Sequence, residues 1–148
     1  MKYFLILLTG VVLGGVMSSF VFADIQPRSY LSITHCKKCY RPSEVLGLLA
    51  AIGITKTPGL IPDVVAETDK TIAIRHPFPE ARVHYVIFPK QDIQDIGDVT
   101  ADDQTYITDA MNVTGELIRT EKLENYRLIT NGPGYQQVRY LHWHLLAE

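Results

Sequence analysis

QQVRYLHWHLLAE, the stretch from Gln136 to Glu148, carries the clearest structural pattern in the chain. Its two-residue alternation and its β-branched and aromatic residues predict a strand. One face of this strand would carry Val138, Tyr140, His142 and His144, and the other Leu141, Trp143 and Leu145. The apolar face would anchor the strand while the opposite face presents two neighbouring histidines to a pocket. The open alternative is a half-buried strand whose histidines face water.

A glycine-containing turn, Asn131-Gly132-Pro133-Gly134-Tyr135-Gln136, precedes this strand and could bring backbone N–H groups and amide side chains near an anion. In this context the strand resembles the signature of the histidine-triad (HIT) family of nucleotide hydrolases and transferases, a Gln before His-φ-His-φ-His-φ-φ, where φ is apolar. The match runs through Gln136, Val138, Leu141, His142, Trp143, His144, Leu145 and Leu146. Tyr140 stands in place of the first histidine of the triad.

A second segment strengthens the resemblance. From Glu67-Thr68-Asp69 to His84-Tyr85-Val86-Ile87-Phe88-Pro89-Lys90 the chain has the family's strand, proline-bearing loop and strand that ends in Pro-Lys. The two segments appear in the family's order and together cover roughly Val64 to Glu148.

The remaining pattern predicts short elements in an α+β domain with the helices on one side of an antiparallel sheet. The elements are a helix over Val45 to Ile52 that ends near Gly53, strands over Val64 to Glu67, Thr71 to Ile74, Val83 to Phe88 and Tyr126 to Thr130, and a long helix over Thr100 to Leu123. Thr68-Asp69-Lys70 would close a hairpin, and His76-Pro77-Phe78-Pro79 would be an irregular connection. The resemblance implies a five-stranded antiparallel sheet with two helices, usually in a two-fold dimer.

Length and charge limit the possibilities. The chain has 148 residues, enough for one domain (residues 43–148) after an N-terminal segment. Its net charge of -2 and pI near 6.2 argue against a nucleic-acid partner, which would need a basic surface.

The N-terminal segment, residues 1–23, allows two interpretations. Tyr3 to Ala23 contains no charged residue and is long enough to cross a bilayer as a helix. Basic residues are more frequent after it than before it, so a retained transmembrane anchor would leave the domain in the cytoplasm, which is the interpretation we favour. The alternative is a signal peptide cleaved after Val21-Phe22-Ala23, with export of the domain.

Residues 24–42 read as a linker with a small knuckle around Cys36 and Cys39. The pair could be half of a zinc site, a redox pair or a disulfide. In many HIT proteins a similar pair binds zinc with two histidines, whose places here are taken by Asp92 and Tyr140; His35 could supply a third ligand. We therefore predict no structural zinc of full strength and no required cofactor.

The resemblance assigns roles to the other residues. It implies that His142 attacks the α-phosphorus of a nucleotide or nucleoside phosphoramidate, and that the nucleotidyl-histidine is then hydrolysed. It makes His144 a contact for phosphate oxygens and the leaving group, and His84 a neighbour of the nucleophile. Asn131 and Gln136 match the phosphate-binding amides. Tyr140, whose phenol could still hydrogen-bond, and His76, which lies near the position of an aspartate that holds the ribose hydroxyls, are the other predicted substrate-binding residues.

Two other classes of function stay open. One is a nucleotide-binding module without turnover, suggested by the replacements at Tyr140 and His76. The other is a metal or redox protein built around the Cys36 and Cys39 pair.

Overall fold

The structure is a computed structural model that describes residues 2–22 and 42–148. Its helices are α1 (Lys2–Phe22), α2 (Pro42–Lys56) and α3 (Gln104–Thr120), and its strands are β1 (Val64–Glu67), β2 (Thr71–Arg75), β3 (Val83–Pro89), β4 (Tyr126–Ile129) and β5 (Trp143–Ala147). The predicted α+β class and five-stranded antiparallel sheet are confirmed.

The strand order β1-β2-β3-β5-β4 places β3 beside the last strand of the chain. The predicted hairpin between β1 and β2 is confirmed, because the Thr68 hydroxyl accepts hydrogen bonds from the N–H groups of Lys70 and Thr71, at 3.1 and 2.9 Å. The connection from His76 to Pro79 is irregular, as predicted. Val86 pairs with His144 across β3 and β5, and His84 lies two residues away on the same face of β3.

Helices cover both faces of the sheet, so the prediction of helices on one side is wrong. On one face, Tyr85 and Ile87 pack in a core with Ala110, Val113 and Leu117 of α3. On the opposite face, Ile72 and Tyr140 pack in a second core with Ala51 and Ile54 of α2. The physical reason is that β2 and β3 carry apolar side chains on both faces, and each face must be buried against another element.

The last strand is shorter than predicted. β5 begins at Trp143, and the residues from Gln137 to Tyr140 form bends. The predicted alternation nevertheless holds: Leu141, Trp143 and Leu145 lie in the α3 core, whereas Val138 and Tyr140 lie with the α2 core. His142 therefore precedes the strand, so the prediction that it lies within the strand was wrong.

Element ends also differ from prediction. α2 continues through Gly53 to Lys56, since glycine weakens a helix by about 1 kcal/mol without necessarily ending it. The long helix begins only at Gln104, after a 3-10 turn in which Thr100 and Asp103 form a capping box. It ends at Thr120 rather than Leu123.

The N-terminal predictions have separate outcomes. Across residues 2–22 and 42–148, no helix has both the length and the apolar character needed to cross a bilayer, so the predicted transmembrane helix is not supported. The knuckle with His35, Cys36 and Cys39 lies outside the described residues.

Candidate active site

Four histidines from three parts of the chain meet on the α2 side of the sheet. His76 follows β2, and His84 lies in β3. His142 directly precedes β5, and His144 is the second residue of that strand. The His76 and His84 rings stack with centroids 4.1 Å apart and planes 2° from parallel. The His84 and His144 centroids are 5.1 Å apart, and those of His142 and His144 are 4.9 Å apart. The structure thus brings four predicted site residues into one cluster.

A backbone carbonyl sets the tautomer of His142. Its Nδ1–H donates to the carbonyl oxygen of Tyr140 at 2.6 Å, so the proton of the neutral ring is on Nδ1. The lone pair is then on Nε2, the nitrogen that a nucleophilic imidazole uses. A second bond, from the Thr130 hydroxyl to the His142 carbonyl at 2.8 Å, holds the backbone of the same residue.

A chain of hydrogen bonds sets the tautomers of the other two rings. The Glu80 N–H donates to His84 Nδ1 at 3.2 Å, so neutral His84 carries its proton on Nε2. His84 Nε2–H then donates to His144 Nδ1 at 2.9 Å. Neutral His144 must therefore carry its own proton on Nε2, where it can serve as a hydrogen-bond donor.

Burial and mutual repulsion keep these rings neutral. Burial, followed by the charges of His142, His84 and His76, lowers the pKa of His144 to about 4. Burial is also the main reason that the pKa of His142 is lowered, against an opposing effect of the bond to Tyr140. Burial and then His76 lower the pKa of His84. At neutral pH His84, His142 and His144 are therefore uncharged imidazoles, which can act as nucleophiles.

Tyr140 is a buried core residue that supports the site. Its side chain is 0 % exposed, and its hydroxyl donates to the Pro89 carbonyl at 2.6 Å. This geometry argues against the substrate contact predicted for its phenol. Its carbonyl, by contrast, orients His142 directly.

The two predicted amides occupy different positions. Asn131 is half-buried and directly follows Thr130, whose hydroxyl donates to the His142 carbonyl. Its contact with phosphate stays a prediction. Gln136 is buried, and its Nε2 donates to the Gln94 carbonyl at 3.1 Å. The Gln136 side chain thus links its own loop to the loop that contains Gln94. Its contact with phosphate likewise stays a prediction.

Most of the described domain matches a known protein family. The family model for the HIT domain matches residues 61–148. The chain belongs to the HIT domain family.

Individual relatives agree with this assignment. Over 88 residues the chain is 37% identical to an uncharacterized HIT-like protein of Chlamydia trachomatis, covering 57% of this chain and 79% of that protein. It is 33% identical over 89 residues to the purine nucleoside phosphoramidase of Escherichia coli K12, covering 57% and 75% of the two chains. Among solved structures, a HIT family hydrolase from Clostridium thermocellum superposes with a TM-score of 0.61 at 27% identity, covering 68% of this chain and 89% of that chain. A HIT family hydrolase from Legionella pneumophila gives 0.58 at 34%, covering 64% and 88%.

The zinc set of many HIT proteins does not fit the described residues. Tyr140 would have to supply a phenolate, yet its buried hydroxyl already donates to Pro89. Zinc prefers thiolate and imidazole nitrogen, so the exchange of two histidines for Asp92 and Tyr140 leaves a poor set. Absence of a full-strength zinc at the knuckle stays a prediction.

Three supporting residues of this HIT site were missed from sequence. Phe88 packs its ring 5.5 Å from His142, and its place four residues after His84 on one strand could have indicated this contact. Thr130 and the backbone N–H of Glu80 act through single hydrogen bonds to His142 and His84. No sequence pattern predicts such hydrogen bonds, because they depend on how the loops approach the sheet.

Proposed function

We propose that this HIT protein is a nucleotide hydrolase or nucleotidyl transferase that acts through a nucleotidyl-histidine. Its substrates would be nucleoside phosphoramidates or related phosphoanhydrides. The observation that carries the proposal is the bond from His142 Nδ1 to the Tyr140 carbonyl, because it leaves the Nε2 lone pair of a neutral ring available for attack.

The reaction follows from the tautomers. His142 Nε2 attacks the α-phosphorus, a new P–N bond forms, and the bond from phosphorus to the leaving nitrogen or oxygen breaks. The neutral His144 Nε2–H donates a hydrogen bond to the leaving group, which takes its proton from solvent, and His84 Nε2–H holds the His144 ring through Nδ1. Water then attacks the nucleotidyl phosphorus and gives a proton to solvent, the P–N bond breaks, and His142 is released as a neutral imidazole.

Two further observations support this function. The lowered pKa of His142 keeps the nucleophile unprotonated at neutral pH. The similarity to a purine nucleoside phosphoramidase of Escherichia coli supports the class of substrate.

A binding module without turnover is the competing function. The replacement of the first triad histidine by Tyr140 favours it, since a tyrosine at this position cannot supply a third imidazole. The retained backbone bond from Tyr140 to His142 favours catalysis, because positioning survives the replacement.

Intact-protein mass after brief mixing with a nucleoside phosphoramidate separates the two functions. We expect a nucleotidyl adduct on the wild-type chain and none on His142→Ala, with hydrolysis abolished and nucleotide affinity kept within roughly tenfold, about 1.4 kcal/mol. His144→Ala should slow turnover without abolishing it. Exposed Gln137→Ala serves as the matched control from the same stretch and should behave as wild type. Wild-type turnover by His142→Ala would refute the catalytic assignment.

The proposed enzyme works as a homodimer held at a membrane by residues 1–23, with its domain in the cytoplasm. The charge-free run and the basic residues after it support this location. Export after signal cleavage is the alternative location.

A further inference from the structure

His76, His84 and His144 form a group of neighbouring imidazoles within the histidine cluster. One ring nitrogen from each of His76, His84 and His144 lies within 4.8 Å of the other two. Three imidazoles with an open fourth position are a ligand set that Zn²⁺ and neighbouring transition metals accept. His142 is not a member of the group whose ring nitrogens lie this close together.

We propose that His76, His84 and His144 bind a divalent transition-metal ion, and that this ion inhibits the enzyme by replacing the hydrogen bond from His84 that holds the His144 ring in place. Metal binding itself does not depend on turnover. Its inhibitory effect rests on the proposed function, because only an active enzyme has a His144 contact with the leaving group to lose.

His76 is placed to act as a mobile ligand. Its Nδ1 lies 2.8 Å from the Phe78 carbonyl oxygen and 3.1 Å from the Phe78 backbone nitrogen, and the tautomer in which Nδ1–H donates to the carbonyl leaves Nε2 for a metal. The ring stacks parallel on His84, and in-plane lone pairs of parallel rings do not converge on one ion. His76 must therefore rotate, and it lies half-buried in the irregular segment that contains exposed Phe78.

His84 and His144 need a smaller change. Their facing nitrogens are 2.9 Å apart and share the proton of His84 Nε2. Tetrahedral coordination with Zn–N near 2.0–2.1 Å separates ligand nitrogens by roughly 3.4 Å, so an ion fits after a small outward shift. The displaced proton moves to His84 Nδ1, and this costs the 3.2 Å bond from the Glu80 N–H.

The chemistry of the set predicts which ions bind. Imidazole nitrogen suits Zn²⁺, Co²⁺, Ni²⁺ and Cu²⁺, whereas Mg²⁺ and Ca²⁺ prefer oxygen ligands. We therefore expect inhibition by Zn²⁺ and Co²⁺ that excess Mg²⁺ does not reproduce.

Titration of the full chain with Co²⁺, followed by visible absorption, tests the site without turnover. We expect one ion per chain with tetrahedral bands and no thiolate charge-transfer band, in the wild type and in the Cys36→Ser/Cys39→Ser variant alike. His76→Phe keeps a flat ring on His84 but lacks a ligand nitrogen, and it should weaken binding by more than about a hundredfold, since even indirect ligand partners cost 10–100-fold. His142→Ala is the matched control and should bind Co²⁺ like the wild type.

Inhibition is then measured as the ratio of rates with and without Zn²⁺ within each variant. We expect the ratio to fall at least tenfold in the wild type and to return towards one in His76→Phe. Undiminished Co²⁺ binding by His76→Phe, or bands that disappear with the cysteines, would overturn the metal site. Loss of turnover by the wild type with intact Co²⁺ bands would instead count against the proposed function alone.

Discussion

Tyr140, which the resemblance predicts to stand in place of a family histidine, keeps His142 in position. Its phenol fills a buried position next to Phe88, with ring centroids 6.0 Å apart, and bonds to the Pro89 carbonyl. Its backbone carbonyl sets the tautomer of His142. Any residue can supply a carbonyl, so we infer that the replacement preserved the nucleophile while it changed the packing behind it.

Tyr140→Phe tests this division of roles. The change removes the donor to the Pro89 carbonyl and leaves a buried acceptor unsatisfied, so the free energy of unfolding should fall by about 1–3 kcal/mol in urea titration. Turnover of the phosphoramidate should stay within a few-fold of wild type, because the bond to His142 Nδ1 comes from the backbone. A drop in turnover far beyond this, at unchanged stability, would show that the phenol itself acts on the substrate.

At the scale of elements, α2 depends on a close backbone contact. A Cβ added to Gly47 would lie 2.6 Å from the Arg139 carbonyl oxygen, a distance that real Cβ atoms essentially never show. Arg139 directly precedes Tyr140, whose side chain packs under α2. The position of this helix is therefore coupled to the segment that presents His142.

Gly47→Ala should push α2 away from that segment. Overpacking costs roughly 1–3 kcal/mol, and we expect a loss of this size in the free energy of unfolding together with a lower kcat. Gly53→Ala is the matched control in the same helix, since nothing lies within 4 Å of its added Cβ. It should be neutral or stabilise by up to about 1 kcal/mol. Equal effects of the two changes would refute the coupling.

At the scale of the whole molecule, α1 and the edge strand β4 are among the places where apolar side chains are exposed. The large apolar side chains described for α1, from Tyr3 to Val16, are 48–87% exposed. On the edge strand β4, Tyr126, Leu128 and Ile129 are 37–47% exposed. Exposed apolar patches and sheet edges commonly mark contact surfaces. The predicted membrane attachment and the homodimer would each cover one of them.

Cell fractionation tests the location. We expect the full chain to stay with membranes, and removal of residues 2–22 to release it, with the domain protected from protease added to sealed cells. The Cys36→Ser/Cys39→Ser variant controls for effects of the linker and should fractionate like the wild type. A soluble exported protein that begins at Asp24 would refute retention.

Prediction from sequence succeeded where a pattern is local. The hairpin at Thr68 and the two-residue alternation around His142 were both confirmed. It failed for the side on which α2 lies and for the start of β5. Both of these depend on which apolar surfaces meet, and apolar contacts carry no direction that a single segment reveals.

The sequence alone determined the class of fold, the family and the presence of histidines on one face, because steric alternation and turn chemistry act between residues close together in the chain. Only the tertiary structure decided how those histidines are used. The His84–His144 bond joins residues 60 positions apart, and the stacking of His76 on His84 depends on the path of a loop. Sheet register and loop path set both contacts, so the protonation of each ring is a property of the folded chain.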